Sequence, residues 1–216
     1  MASQVEARVY DLRRGLLIEG VTIVWMVLEA AVAISIGISA RSGAALAFGI
    51  DSLIELGSAA VLVWRLRAEF GQQTPARIEI VERTAGRIVG GALFVLAAYV
   101  VLQSLASVIL HVEPGRSHLG IGLALAALIV MPILARAKRS VAEAIHSPAL
   151  KGDAACSITC AYMAATLLGG LALNAAFGWW WADPLAALGI VYFLVREGYE
   201  AWAGDDCCND DRCETS

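Results

Sequence analysis

A chain of 216 residues that is 59% hydrophobic and only 17% charged, with a mean hydropathy of +0.69, carries more apolar surface than a soluble core can absorb. That excludes an ordinary soluble domain, and the five cysteines do not read as a disulfide scaffold, since two lie in an apolar run and three in an acidic tail. The formal net charge of −4 says little by itself, because the positions of the charges carry the information, and nothing in it calls for a nucleic-acid partner. Runs of about 20 apolar residues read as bilayer-spanning helices, and six of them fill the chain. The expected fold is therefore an all-α membrane protein, a six-transmembrane-helix bundle. Residues 1–14 are expected to form a cytoplasmic lead-in, 15–203 the six-helix transmembrane domain and 204–216 an acidic, cysteine-containing cytoplasmic tail.

The lead-in is polar and amphipathic, and no cleavable signal is expected in it, because it runs directly into a full-length span. The first span covers about residues 15–40, with Glu29 midway along it. The second begins near Ser42 and ends at Trp64-Arg65-Leu66-Arg67, containing Asp51 and Glu55. A polar link, partly helical, leads to the third span at about 88–110, whose strongly polar side chain is Gln103. Val112-Glu113-Pro114-Gly115-Arg116 reads as a turn. The fourth span, about 119–135, contains Pro132, which should kink it, and Arg136, Lys138 and Arg139 close it. Ser147-Pro148 is a helix start, serine capping and proline in the first turn. The fifth span then carries Asp153, Cys156, Cys160 and Asn174 as far as about 176. Trp179, Trp180 and Trp181 form an interfacial belt, and Asp183-Pro184 starts a sixth span that fades at Arg196, with Asp183 as its cap.

Basic residues set the expected orientation. With the amino terminus inside, fourteen of the sixteen Lys and Arg fall on inner segments and only Arg41 and Arg116 on outer ones. That bias follows the positive-inside rule and places both termini in the cytoplasm. The location to expect is an inner, or plasma, membrane.

Two stretches carry the chemistry. In each, a pair of possible metal ligands stands four residues apart, Asp51 with Glu55 and Cys156 with Cys160, so each pair shares a helix face. Counting from the membrane surfaces at 1.5 Å per residue puts the carboxylates roughly 14 to 20 Å down and the thiols roughly 12 to 20 Å up. In a core about 30 Å thick the pairs meet near the midplane. Together they supply enough donors to close a four-coordinate site for a divalent cation. Two carboxylates one turn apart repel unless one holds a proton or a cation sits between them, which is the behaviour of a metal/proton exchange site.

Other polar residues are assigned supporting roles. Glu29, at similar depth, could complete the shell, relay protons or pair with Gln103. Asp153 sits in the early turns of its helix, where a carboxylate favours the helix dipole and could guide ions inward. Asp183 and Gln103 remain possible additions to the transport path. His111, His118 and His146 each stand alone at an interface and read as surface residues. Cys207, Cys208 and Cys213, among aspartates, form a loose metal-attracting tail or simple disorder.

With these residues in view, the stretch from Ser42 to Asp51-Ser52-Leu53-Ile54-Glu55 resembles the Asp-x-x-x-Asp helix of the cation diffusion facilitator, or cation efflux, family. Trp181-Ala182-Asp183-Pro184-Leu185-Ala186-Ala187-Leu188 resembles the start of that family's sixth span. The resemblance covers about residues 12–203 and is to the short bacterial members that lack the usual cytoplasmic domain. It implies six helices, usually as a homodimer, that export zinc or related divalent cations in exchange for protons. Where the family's fifth span carries His-x-x-x-Asp, this chain has Cys156 and Cys160. Sulfur in place of imidazole and carboxylate favours zinc, cadmium or mercury over magnesium, calcium or manganese.

The function to expect is proton-coupled export of a soft divalent cation, zinc-like, with Asp51, Glu55, Cys156 and Cys160 as its ligands. The partners are then the cation, protons and the bilayer, and no resident cofactor is needed. The alternative is a membrane metal-binding or accessory protein that buffers metal without moving it. A thiol enzyme needs a general base beside its nucleophile. No histidine lies at the depth of Cys156 or Cys160, so the chain is not expected to be an enzyme.

Overall fold

The computed structural model describes residues 2–39, 43–71, 74–110, 118–179 and 181–203, with the backbone alone at 2–5, 43–47 and 183. All regular structure among them is helical. The helices are α1 (Ala2–Ser39), α2 (Gly43–Phe70), α3 (Pro75–Ile109), α4 (His118–Ile145), α5 (Pro148–Phe177), α6 (Ala182–Leu188) and α7 (Val191–Ala203). Four of them, α1, α3, α4 and α5, are long and apolar enough to cross a membrane. Helix α2 joins them despite Asp51 and Glu55, and α6 with α7 makes the sixth crossing, giving the expected six-helix bundle. The outer turn at 112–116, His111, Trp180 and the tail with Cys207, Cys208 and Cys213 lie outside the described residues.

Which side chains face out explains why such a sequence folds this way. Leu17, Val24, Leu28, Leu102, Ile109 and Ile129 are exposed, whereas Glu19, Glu29, Asp51, Glu55, Lys138 and Asp153 are buried. In water that arrangement would be inverted; in lipid it is the stable one, because polar groups are satisfied only inside the protein. The helices pack mainly as three pairs, α1 on α2, α4 on α5 and α3 on α7, joined by α1 with α4 and by α2 and α5 with α3. Small residues let the α3–α7 backbones touch. A methyl added at Gly90 would sit 2.6 Å from the Gly198 carbonyl oxygen, and one at Gly86 2.5 Å from that of Ala201.

Several boundaries differ from the sequence expectation for local reasons. The polar lead-in and the first span are one continuous helix, and the third helix starts at Pro75, so most of the polar link is helical. Helix α4 runs through Pro132 to Ile145, ten residues past the expected end of that span. The sixth crossing breaks at Gly189–Ile190, where backbone bonds tighten to Gly189→Ala186 and Ile190→Ala187 before the helix resumes. Tyr162 of α5 donates to the Ala186 carbonyl at 2.7 Å and so anchors the break. Helix α6 begins at Ala182 with Trp181 at the cap position, so Asp183 belongs to the first turn and is not the cap expected above. Ser147 is the cap expected for α5: its hydroxyl accepts from the Leu150 N–H at 3.2 Å.

A charged clasp ties the helix ends beside that cap. Glu82 of α3 accepts from the Ser147 hydroxyl at 2.7 Å and from the Ala149 N–H at 3.0 Å. Its other oxygen takes the Arg65 guanidinium of α2, which also pairs with Glu69 at 2.7 Å. Glu69 in turn holds Arg8 of α1 at 2.6 Å. Helices α1, α2, α3 and α5 are thereby fixed at one end, the same end from which α5 carries its ligand-bearing turns into the bundle.

Candidate metal site

Polar side chains inside the bundle fall into tiers, because α1, α2 and α5 each place them at turn-to-turn intervals. Glu29 on α1 and Asp51 and Ser52 on α2 stand level with Cys160 on α5. The Ser52 hydroxyl donates to Glu29 Oε1 at 3.0 Å, and Cys160 Sγ donates to the same oxygen at 3.4 Å. Trp25 Nε1 donates to the other oxygen, Glu29 Oε2. Asp51 lies near enough to Cys160 for the two to interact. Glu29, Asp51, Ser52 and Cys160 are all buried, with at most 5% of any one exposed. Three helices thus bring Cys160 onto Glu29 with Asp51 nearby, the three still too far apart to hold an ion as they stand, and among the described residues no ion pair reaches them.

The tier is incompletely satisfied. Among the described residues Asp51 Oδ2 is buried without a hydrogen-bond partner, as are Tyr99 Oη and Gln103 Oε1 of α3. Tyr99 and Gln103 are four residues apart and share a face, and Tyr99 is close enough to Asp51 to feel its charge. Buried polar atoms left unpaired cost about 1–3 kcal/mol each. Such an arrangement suits a site whose oxygens are meant for a mobile cation or proton. Glu29 finds its partners on α2 and α5, so the Glu29–Gln103 pairing considered from sequence is not the one made.

One turn further along, the remaining expected ligands separate. Glu55 accepts from the Ser157 hydroxyl at 2.5 Å. Cys156 packs in the apolar cluster with Leu150 and Leu194, while Cys160 belongs to a second cluster with Met26 and Met131. Among the described residues no three His, Cys, Asp or Glu side chains stand close enough together to hold an ion. The structure therefore places Cys160 on Glu29 with Asp51 nearby, but holds Glu55 on Ser157 and Cys156 in packing.

The third tier escaped the sequence reading. Lys138 of α4 is fully buried and donates to Asp153 Oδ2 at 2.5 Å; its ammonium is also 3.5 Å from Glu19 Oε2. The Ser58 hydroxyl of α2 donates to Asp153 Oδ1. From sequence, Lys138 closes the fourth span among basic neighbours. The helix instead continues past it and turns it inward, so it is not one of the solvent-facing inner charges. The available signal was spacing: Lys138 lies four residues before Ala142 and seven after Met131, both buried, so it shares their inward face. Asp153 is thus the partner of a lysine as well as an early-turn carboxylate. His118 and His146 are exposed at the two ends of α4, as expected of surface residues.

Compared with known proteins, residues 21–202 match the model of the family described as the cation efflux transmembrane domain. No curated protein matches the chain. The match spans most of the chain and all six crossings, and it includes every buried ligand-type side chain described above except Glu19. The chain belongs to the cation efflux family, whose members are integral membrane transporters of metal cations and not enzymes.

Proposed function

We propose that the chain exports a soft divalent cation of the zinc type, with protons moving the other way. Its ion-binding centre is Asp51 and Cys160, with Glu29 beside them and Glu55 and Cys156 recruited from the next turn. The observation that supports this reading is the burial of Asp51, Glu29 and Cys160 in the bundle interior, Cys160 on Glu29, with one Asp51 oxygen unpartnered and no basic side chain to neutralise them among the described residues. The three are not close enough together to hold an ion as they stand, so binding must draw α1, α2 and α5 inward. A divalent cation supplies the missing positive charge and a partner for that oxygen. Its arrival requires the Cys160 thiol to give up its proton, since ligands coordinate in their deprotonated form. Release on the far side then returns the proton to the same groups.

Coordination by Glu55 and Cys156 requires Glu55 to leave Ser157 and α5 to rotate Cys156 out of its apolar contacts. A small rotation of α5 against α2 would serve both changes, and this is the movement the proposal assigns to alternating access. The positive-inside distribution of Arg and Lys supports cytoplasmic termini, and the family match supports export as the direction of transport. Homodimer formation belongs to the same proposal, and crosslinking in membranes checks it.

The test is cation flux in sealed vesicles containing the full chain, with zinc and cadmium, at an imposed pH gradient. Flux is expected to depend on the gradient. It should fall by more than about 100-fold in Asp51→Asn, because a direct ligand outweighs outer-shell partners, whose loss costs about 10–100-fold. A chain that retains metal but carries none across the membrane would instead be a metal-binding accessory protein.

A further inference from the structure

The Lys138 tier has the make-up of a cation site with its own cation in place. Glu19, Asp153 and Lys138 are each 0% exposed and come from α1, α5 and α4, and Ser58 brings a hydroxyl from α2. A buried ammonium must be paired, and the Asp153 contact does this. Glu19 is different. Its nearer oxygen stands 3.5 Å from the ammonium, and neither of its oxygens has a hydrogen-bond partner among the described residues. A buried carboxylate 3.5 Å from a cation, without a well-formed hydrogen bond of its own, is coupled to the lysine mainly through charge, and more loosely than to a coordinated ion.

We propose that the Lys138 ammonium is a tethered cation filling a second cation-binding site of this chain, formed by Glu19 and Asp153 with the Ser58 hydroxyl. Lys138 occupies the place a second divalent ion would take. It thereby confines the mobile cation to the Asp51–Cys160 tier and sets the number of ions held per chain. The donors of the filled site are all oxygens, so with Lys138 removed it takes a hard divalent cation such as manganese in preference to a soft one. The two sites are therefore distinguishable by metal, one sulfur-containing and one oxygen-only. Lys138 also acts across to the intervening tier, being close enough to Glu55 for their charges to interact. Its loss would be felt by a proposed ligand it does not touch.

The experiment titrates manganese(II) into the full chain in detergent, followed by electron paramagnetic resonance of the free ion. K138M is expected to gain one manganese site per chain and to bind at least about tenfold more tightly than the natural chain. K138R, which keeps a tethered cation, should gain none. Two unpaired carboxylates can prevent K138M from folding, so the companion variant is E19Q K138M, which removes one negative charge with the positive one. It is expected to fold and to bind manganese less tightly than K138M but more tightly than the natural chain. Repeating the titration with D51N and C160S added removes the proposed transport site; the gain should persist there, so this inference and the exporter reading fail separately. Manganese binding equal to that of the natural chain, in whichever of the two Lys138→Met variants folds, overturns the proposal.

Discussion

The two outer tiers of the bundle interior use nearly the same acidic parts to opposite ends. Around Cys160, Glu29 has only neutral donors among the described residues, and Asp51 nearby keeps one oxygen unpartnered. Around Lys138, Glu19 and Asp153 flank a fixed ammonium. By the helical rise the tiers are about 10 to 15 Å apart along the same helices. What separates them is a single tethered charge. The tier that has one is a structural joint between α1, α4 and α5, and the tier that lacks one is left to be neutralised by something that comes and goes.

Stability gives the sharpest contrast. Lys138→Met leaves buried carboxylates without their cation and should cost about 3–5 kcal/mol, measured as loss of folded chain on heating in detergent. Asp51→Asn removes an unpaired buried charge, so it should leave stability unchanged or raised. Equal losses in the two variants would erase the distinction between joint and site. A far smaller effect is expected outside the membrane. Lys151 and Glu200 form the same kind of pair at 2.6 Å, but beyond Arg196, where the apolar run of α7 ends, and partly exposed. The Lys151 hydrogen bond holds the Glu200 carboxyl below the usual glutamate range. Such a contribution is present at neutral pH and is lost as pH falls through the depressed value. Lys151→Met should therefore cost only about 0.2–1 kcal/mol at neutral pH and nothing once Glu200 is protonated, as followed by melting temperature against pH.

Sequence patterning made the fold readable, because lipid selects long apolar helices and the few charges inside them stand out. Asp51, Glu55, Cys156 and Cys160 were visible as pairs at helical spacing, and Glu29 by its depth. Lys138 was hidden by its neighbours: Arg136 and Arg139 make it look like the end of a span, although its spacing from Met131 and Ala142 puts it on the inward face, where Asp153 and Glu19 receive it. Glu19 was masked in the same way, by its nearness to the polar lead-in with Arg13 and Arg14. The break at Gly189–Ile190 was equally silent, since its anchor, Tyr162, comes from another helix. Pairwise partners such as Ser157 with Glu55 depend on rotation of one helix against another, which periodicity along a single helix does not specify.

The central claim is that the unneutralised tier, and specifically Cys160, holds the mobile cation. Cadmium titration of the full chain, read by the ultraviolet charge-transfer band of a sulfur–cadmium bond, tests it most directly. With the tail cysteines Cys207, Cys208 and Cys213 replaced by serine so that they add no band of their own, the account expects a saturable band that is lost when Cys160→Ser is added. An undiminished band in Cys160→Ser would place the metal on other sulfurs and contradict the account.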